Sequence, residues 1–440
     1  MKRLISGLVT LLLLSASIVK AQIAPDPALL AEINRIKAVD NHAHPLRFVN
    51  EGETDTEEAF SAPAQQMDVP VRLRPDNPEF VAAWRALYGY KHDDMSEAHL
   101  RELAVSKQRV RRERGEAYPV WVLDQLDIEV MLTNRVAMGR GLTAPRFRWT
   151  PFADPLMYPL NNSGAGRGNP DDKKEYEGAE RILKRYLSEL RINSLPPTLE
   201  GYLTRVVTPA LERQKREGAV ALKFATAYLR SLDFADASER RARDVYARYV
   251  RRGVAPAAEY KALQDFLFRF IAREAGRLGL VVHIHVGAGA SGYFSQTGAS
   301  PFLLEPVLND PGLRKTNFVL VHGGLPNAKE TRFLLYKPNV YADFSGQTFL
   351  LSTRELSEVL RSWLEFVPEK VLFGTDAFII TPEVGWEELG WLTNRTAREA
   401  LAIALTGMMQ DRQITRKRAS ELAWMVLRDN AVKLYGLNAK

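Results

Sequence analysis

Cysteine is absent from this chain of 440 residues. Without thiols the protein forms no disulfide, carries no cysteine-linked lipid anchor and can bind a metal only through nitrogen and oxygen ligands. Low-complexity tracts and internal repeats with a period of about 20–50 residues are also missing, which argues against a repeat architecture. The composition is that of a globular protein, and the length suits one large α/β barrel or two ordinary domains.

The sequence also lacks an apolar run long enough to span a bilayer, which takes about 20 residues. Its N-terminal apolar run, Leu8–Leu14, follows Lys2 and Arg3 and precedes the small-residue pattern Val19–Ala21. This order is typical of a secretory signal peptide. We therefore interpret residues 1–21 as a cleaved signal peptide and expect a periplasmic or secreted protein without a stable membrane anchor.

A strong excess of charge of one sign is missing as well. The formal charge is +7, and loss of three of these charges, Lys2, Arg3 and Lys20, with the signal peptide leaves +4. Basic and acidic residues are interspersed, which gives no support for a nucleic acid or another polyanionic partner. We therefore expect a small-molecule substrate. Self-association into a homo-oligomer stays open.

Histidine is scarce, since the chain has only seven, and five of them lie in apolar, strand-like runs. On a β-strand His42 and His44 would point to one face, about 6.5–7 Å apart along the backbone. Two neutral imidazoles on one face can hold a divalent cation, and Asp376 supplies the carboxylate that such a site needs. We interpret the pair as metal ligands, whereas His92 and His99 lie among charged residues and are interpreted as surface histidines.

Eight apolar runs predict β-strands, and most are followed by a helical or loop segment. They are Val39–Pro45, Asp127–Asn134, Phe147–Phe152, Gly218–Phe224, Leu280–Val286, Asn317–His322, Val340–Phe344 and Lys370–Asp376. Nearly continuous apolar strands that alternate with helices are typical of a parallel sheet. We thus expect an α/β protein, a (β/α)₈ TIM barrel with helical insertions between strands 1 and 2 and between strands 3 and 4. Residues 22–440 would form this single domain, with residues 49–120 as a helical cap.

Polar residues fall at or near the last position of six predicted strands. They are His44, Lys223, His285, His322, Asp343 and Asp376. Active-site groups of such barrels lie at the carboxyl ends of the strands, so these side chains should share one face of the barrel.

Period-2 alternation sharpens this expectation. In strand five, His283 and His285 share a face, but His283 lies one layer deeper, which favours a core or supporting role for it. In strand six, His322 should share the face of Leu320, opposite Val321.

This constellation resembles the amidohydrolase superfamily, and more narrowly its amidohydrolase-related (family 2) branch. The motifs that carry the resemblance are Asp40–Leu46, Leu222-Lys223, Ala227-Tyr228, Val321-His322 and Gly374–Ala377. The resemblance covers about residues 36–436. It fails in residues 49–120 and 161–216, where substrate specificity would be expected to reside.

The resemblance implies a metal-dependent enzyme with His42, His44 and His285 as imidazole ligands and Asp376 as the carboxylate ligand. We expect one divalent ion, zinc, with two ions as the alternative. Asp376 would take a proton from metal-activated water and pass it to a leaving group. His322 would polarise the substrate or hold the attacking water.

Lys223 is open to three interpretations. Related barrels place on strand four a lysine whose carboxylated amine bridges two metals, but this lysine could equally contact the substrate or form a structural salt bridge. Tyr228 and Arg230, just beyond it, are candidates for binding an anionic substrate, and surface packing is the alternative for both.

The leading hypothesis is a secreted metal-dependent hydrolase that acts on a C–N or C–O bond. A metal-dependent decarboxylase of a small carboxylic acid is the first alternative, and a uronate isomerase-like reaction is a more distant one. A non-catalytic periplasmic metal- or ligand-binding protein is the third alternative. The presence of both Asp376 and His322 argues against it, because a binding protein needs neither a proton acceptor nor a polarising group.

Overall fold

The structure is a computed structural model, and it describes residues 24–50, 52–56, 69–168, 173–290 and 293–437. Within these ranges the strands are β1 (Ala38–Ala43), β2 (Ile128–Asn134), β3 (Phe147–Thr150), β4 (Ala221–Phe224), β5 (Val281–His285), β6 (Phe318–Val321), β7 (Val340–Asp343) and β8 (Val371–Leu372). Each of the eight overlaps one predicted strand. The signal peptide expected at residues 1–21 lies outside the described residues, so export stays a prediction.

Helices lie between all consecutive strands except β2 and β3, so the alternation that the sequence predicts for a parallel barrel is nearly complete. The described α-helices are α1 (Pro27–Ile33), α2 (Glu79–Tyr88), α3 (Glu97–Arg114), α4 (Tyr118–Gln125), α5 (Ser163–Gly168), α6 (Lys173–Glu189), α7 (Leu199–Tyr202), α8 (Thr208–Arg216), α9 (Glu239–Tyr249), α10 (Ala257–Leu278), α11 (Glu305–Leu308), α12 (Ala328–Thr331), α13 (Gln347–Leu350), α14 (Thr353–Leu364), α15 (Trp386–Gln410), α16 (Arg416–Trp424) and α17 (Asn430–Tyr435). None of the helices in the described ranges combines the length and the apolar character needed to cross a membrane.

All strand pairs are parallel, in the orders β1-β2-β3 and β4-β5-β6-β7-β8. Backbone contacts link the two sheets at both edges. Trp149 bridges to Ala219 between β3 and β4, and Asn41 N donates to Phe373 O over 2.9 Å between β1 and the segment after β8. The fold is therefore the predicted α/β barrel type, with helical insertions between β1 and β2 and between β3 and β4.

Alternate strand positions fill two different apolar cores. One cluster joins residues from six strands with residues near the C-terminus, and it contains Val39, Val130, Leu132, Ala221, Val281, Val319, Val321, Leu372, Ala431 and Leu437. A larger cluster contains Leu222, Ile284 and Leu320 together with residues of the surrounding helices. We call the first the inner cluster and the second, which includes residues of the helices, the outer cluster. Since Val281 belongs to the inner cluster and Ile284 to the outer one, His283 and His285 face the barrel interior, which confirms the alternation predicted for strand five.

Strand six departs from its predicted alternation. Leu320 packs in the outer cluster and Val321 in the inner one, so a continued strand would point His322 outward. His322 instead adopts φ 68°, and Gly323 follows with φ 60°. This left-handed turn brings the imidazole among the other polar strand-end residues. The prediction that His322 shares the face of Leu320 is therefore wrong.

Strand eight is shorter than predicted, since β8 ends at Leu372 rather than at Asp376. Leu372 O still accepts a hydrogen bond from Phe344 N, just after β7. Beyond Leu372 the chain runs next to β1 instead. Asp376 N donates to His42 O over 2.7 Å, and Asp376 has φ 52°. Asp376 is thus placed by contact with β1 and not by strand geometry.

The insertion between β1 and β2 packs on α15. Phe80 and Trp84 of α2 share an apolar cluster with Leu389. Two ion pairs reinforce this contact: Lys107 Nζ lies 2.6 Å from Glu388 Oε1, and Arg111 lies 3.0 Å from Glu387 Oε1, with both glutamate side chains fully buried. Helices α2 and α3 lie within residues 49–120, which the sequence predicts to be helical, and the role of this insertion as a cap stays a prediction.

Replacing Lys107 by methionine should lower the free energy of unfolding by about 3–5 kcal/mol, because Glu388 would become a buried and unpaired charge. Denaturant unfolding followed by circular dichroism measures this. Arg109→Met on the same helix is the matched control, since the exposed Arg109–Glu113 pair spans 4.0 Å and should contribute less than about 1 kcal/mol. Equal effects of the two variants would contradict the anchoring role of the buried pair.

Candidate metal centre

Residues at the carboxyl ends of β1 and β6 and in the segment after β8 converge on the carboxylate of Asp376. His42 Nε2 and His44 Nε2 lie 3.4 Å and 3.6 Å from Asp376 Oδ1. On the other side, His322 Nδ1 lies 3.8 Å from Asp376 Oδ2. Ligand atoms of His42, His322 and Asp376 all lie within 4.8 Å of one another. One carboxylate oxygen therefore faces the two histidines of β1, and the other faces the histidine after β6.

His285 approaches this cluster from β5. Its ring centroid lies 4.7 Å from that of His322, and a hydrogen bond to the backbone of Ala288 engages the ring. The Nε2 atom of His285 is buried and has no hydrogen-bond partner among the described residues. An imidazole whose second nitrogen is held by the backbone while the first keeps a free lone pair is the usual form of a metal-ligating histidine. The donor set therefore fits a divalent cation.

The electrostatics of the site favour neutral imidazoles. Burial, followed by the charge of Lys223, lowers the pKa of His42 well below its ordinary value and that of His44 to about 3. Burial lowers the pKa of His285 and His322 in the same way. Neutral imidazole is the form that binds metal, so the four rings are in the required state at neutral pH.

Lys223 lies inside the barrel at the end of β4, with its Nζ 3.3 Å from His42 Nε2. Burial lowers the pKa of Lys223 and raises that of Asp376, and the charge of each opposes the shift of the other. This position suits a bridging group or a substrate contact, and both roles stay predictions.

Asp40 ties the two ligand-bearing segments together, a role that sequence reasoning missed. Its Oδ1 accepts hydrogen bonds from His42 N at 3.1 Å and from Thr375 N at 3.0 Å, while its Oδ2 accepts from Thr375 Oγ1 at 2.5 Å. Burial raises the pKa of Asp40 to about 7. Gly374 lets the segment before Thr375 pass close to Ser345, because a Cβ at residue 374 would lie 2.9 Å from Ser345 Cβ. The one available signal was the position of Asp40 inside the His42 motif.

Asp343 lies behind His322 and not in the site itself. Its Oδ1 accepts from His322 N at 2.9 Å, from Ser345 N at 3.0 Å and from Ser345 Oγ at 2.5 Å. Ser345, which sequence reasoning also missed, lies with its Oγ 3.0 Å from His322 Nδ1.

The two candidates for substrate binding beyond β4 lie in different places. The ring of Tyr228 packs 4.7 Å from His285 and 4.9 Å from Phe294, at the side of the centre. The guanidinium of Arg230 lies 2.7 Å from Asp265 Oδ1 in α10. Substrate binding by either residue stays a prediction.

Arg135 is a further buried cation that the sequence analysis missed. It follows β2, is fully buried, donates from NH1 to Pro45 O over 2.7 Å and pairs with Asp55 over 2.8 Å. It thereby holds the chain that leaves His44.

Two further histidines lie on the β1–β2 insertion. His92 pairs with Glu102 over 2.9 Å and His99 with Asp94 over 2.8 Å, and both imidazoles are partly exposed. They are separate from the convergent cluster, as their surface interpretation requires.

An amidohydrolase family model matches residues 153–437, which is more than half of the chain. The chain belongs to the amidohydrolase family. Members of this superfamily bind divalent metal, and the cluster around Asp376 fits that property. The matched region begins after β3, so His42 and His44 enter the centre through the geometry described above.

The similar proteins are distant or only partly matched. The chain is 29% identical over 191 residues to protein fluG of Emericella nidulans, a match that covers 42% of this chain and only 21% of that longer protein. A structure from Lactobacillus casei named as a metal-dependent hydrolase is similar at TM-score 0.62 and 15% identity, covering 94% of this chain and 98% of that one.

Two isomerase structures are also similar. The uronate isomerase of Thermotoga maritima aligns with TM-score 0.54 and 15% identity, over 94% of this chain and 98% of that one. The glucuronate isomerase of Caulobacter crescentus aligns with TM-score 0.60 and 14% identity, over 94% of both chains. At these identities the likeness shows the fold. It is the family match, together with the cluster around Asp376, that identifies the chain as a metal-dependent enzyme of the amidohydrolase superfamily.

Replacing His42 by alanine should remove most of the bound metal, because Nε2 of this residue faces the shared carboxylate oxygen. Elemental analysis of purified protein should give about one divalent ion per wild-type chain and far less for the variant, with similar circular dichroism spectra. His99→Ala is the matched control and should retain the metal. If His42→Ala kept its metal, or if His99→Ala lost as much, the centre would be placed wrongly.

Proposed function

We propose that this protein is a metal-dependent hydrolase that cleaves a C–N or C–O bond of a small molecule. The observation that supports this proposal is that the two oxygens of Asp376 face different histidines. Its Oδ1 lies 3.4 Å from His42 Nε2 and 3.6 Å from His44 Nε2, while its Oδ2 lies 3.8 Å from His322 Nδ1. A single carboxylate that contacts both the ligand imidazoles and the opposite side of the site is placed to move a proton between them.

His42, His44, His285 and Asp376 would hold the ion, and zinc suits this set of nitrogen and oxygen donors. A bound divalent cation of this kind lowers the pKa of water from 15.7 to about 7, which supplies hydroxide at neutral pH. Lys223, beside His42, is the residue that would bridge if a second ion bound.

Asp376 accepts the proton that the attacking water loses and returns it to the leaving nitrogen or oxygen. This requires the ionised carboxylate. Burial raises the pKa of Asp376, and the positive charge of Lys223 opposes that shift. A divalent cation held by these residues would favour the ionised form further. His322, on the Oδ2 side, acts on the water or on the substrate.

Isomerisation of a uronate is the second candidate, because two of the similar structures are a uronate and a glucuronate isomerase. Both reactions would use the same metal centre, but only hydrolysis consumes water. A panel of amides, lactones, aryl carboxylates and uronates separates the possibilities, since a hydrolase incorporates ¹⁸O from labelled water into the acid product, a decarboxylase releases CO₂ and an isomerase converts an aldose to a ketose. Failure to hydrolyse any amide or lactone, with turnover of a uronate, would overturn the proposal.

Asp376→Asn should lower turnover by about 10²–10⁴-fold while keeping much of the metal, because an amide cannot accept the proton but the three imidazoles remain. His322→Ala should lower the rate similarly and leave the metal content unchanged. Steady-state kinetics and elemental analysis on the same samples measure both. Asp411→Asn, in an exposed ion pair with Arg361, is the matched control and should behave as wild type.

Near-full activity of Asp376→Asn would refute the proton transfer assigned to it. Loss of metal from His322→Ala would make that residue a ligand. It would also favour a two-metal centre in which Lys223 is the bridging residue.

A further inference from the structure

Hydrogen-bond donors surround both carboxylate oxygens of Asp343. Its Oδ1 accepts from His322 N and Ser345 N, at 2.9 Å and 3.0 Å, and from Ser345 Oγ at 2.5 Å. Its Oδ2 accepts from Asn41 Nδ2 at 2.6 Å. Burial raises the pKa of Asp343, and these hydrogen bonds oppose that rise. Because every contact is a donor aimed at an oxygen, Asp343 acts as the acceptor at which they end.

The orientation of Asn41 supports this assignment from the opposite direction. The hydroxyl of Tyr435, in α17, donates to Asn41 Oδ1, so the amide nitrogen of Asn41 must be the atom that faces Asp343. The same hydroxyl oxygen lies 2.6 Å from His283 Nε2. Because the hydroxyl proton is already directed to Asn41, this oxygen accepts a hydrogen bond from the Nε2–H of His283. His283 Nδ1 is then a lone pair, and it is a buried atom without a hydrogen-bond partner in the described part of the chain.

Ser345 has one hydroxyl proton, and that proton points to Asp343. The serine oxygen can therefore only accept from His322 Nδ1, which lies 3.0 Å away. A neutral imidazole carries one proton, so a protonated Nδ1 leaves the lone pair on Nε2. The ring of His322 also makes a hydrogen bond to the backbone of Ser345.

The backbone closes the Nδ1 edge of His322. Gly346 has φ 70°, and a Cβ on it would lie 2.8 Å from His322 Nδ1. Gln347 Nε2 donates to His322 O over 3.0 Å. These contacts fix the left-handed backbone of His322 and its ring together.

We propose that Ser345 is a positioning residue that holds neutral His322 as the Nδ1–H tautomer, which leaves the lone pair on Nε2. The proposal rests on the proposed function only in assigning His322 a role at the substrate. In this tautomer His322 accepts a hydrogen bond from the attacking water and does not donate one to a substrate oxygen. Of the two roles that the sequence left open for His322, this tautomer therefore favours holding the attacking water over polarising the substrate.

Nitrogen NMR of protein labelled with ¹⁵N-histidine tests the tautomer without any substrate. The chain has only seven histidines, and His322→Gln assigns the signal. Wild-type, metal-loaded protein should show His322 protonated on Nδ1, and Ser345→Ala should weaken that preference, because only the hydrogen bond to the backbone of residue 345 remains. Ser362→Ala, which removes a buried serine hydroxyl bonded to Val359 O, is the matched control and should leave the His322 signal unchanged.

Tyr435→Phe provides a second, independent variant. It removes the hydroxyl that accepts from His283 but leaves the Ser345–Asp343 contact in place, so it should shift the His283 signal and keep the His322 tautomer. A change of His322 in this variant equal to that in Ser345→Ala would overturn the assignment of His322 to Ser345.

Kinetics give the functional side of the test. Ser345→Ala should lower kcat by about 10–100-fold, the usual effect of losing a supporting hydrogen bond, with KM and metal content little changed. Wild-type His322 protonated on Nε2, or an unchanged tautomer in Ser345→Ala, overturns the proposal whatever the activity. If Ser345→Ala does not fold, the wild-type spectrum still decides. Failure of every substrate in the panel with the expected tautomer would refute the proposed function and leave this inference standing.

Discussion

The carboxylate of Asp376 is the point on which the rest of the centre depends. Parts of the chain more than three hundred residues apart meet there, because Asp376 N donates to His42 O over 2.7 Å and the side chain reaches both His42 and His322. This arrangement requires the segment after β8 to leave its neighbour β7 and cross to β1. The hydrogen bonds from His42 and Thr375 to Asp40 fix that crossing and so set the position of Asp376 relative to His42.

A barrel interior that contains Lys223, Asp40, Asp343 and several histidines is costly to fold, because each group loses its hydration. The network offsets this cost by pairing almost every polar atom, and the inner apolar cluster below it supplies the ordinary driving force of burial. One exception is His285 Nε2, which is buried and has no hydrogen-bond partner among the described residues, at a place where a cation would satisfy it. The polar layer therefore fits a metal site and is not only a part of the core.

The sequence was sufficient for the barrel, because apolar strands alternating with helices recur along the chain and polar residues end most of them. It was also sufficient to predict that one end of the barrel contains His42, His44, His285, His322 and Asp376. It failed where the backbone leaves the regular strand. His322 and Asp376 both have positive φ, a conformation that costs about 1–3 kcal/mol outside glycine and that no period-2 pattern anticipates. Asp40, Ser345 and Arg135 were missed because they act through backbone and side-chain contacts between residues far apart in sequence.

The most direct test of this account is anomalous diffraction from crystals of the protein loaded with zinc. The account predicts a strong peak about 2.0–2.2 Å from His42 Nε2, His44 Nε2 and a carboxylate oxygen of Asp376. The imidazole of His285 should turn its Nε2 to the same peak. A peak only at the surface pair His92 and His99, or no peak at the end of the barrel, would contradict it.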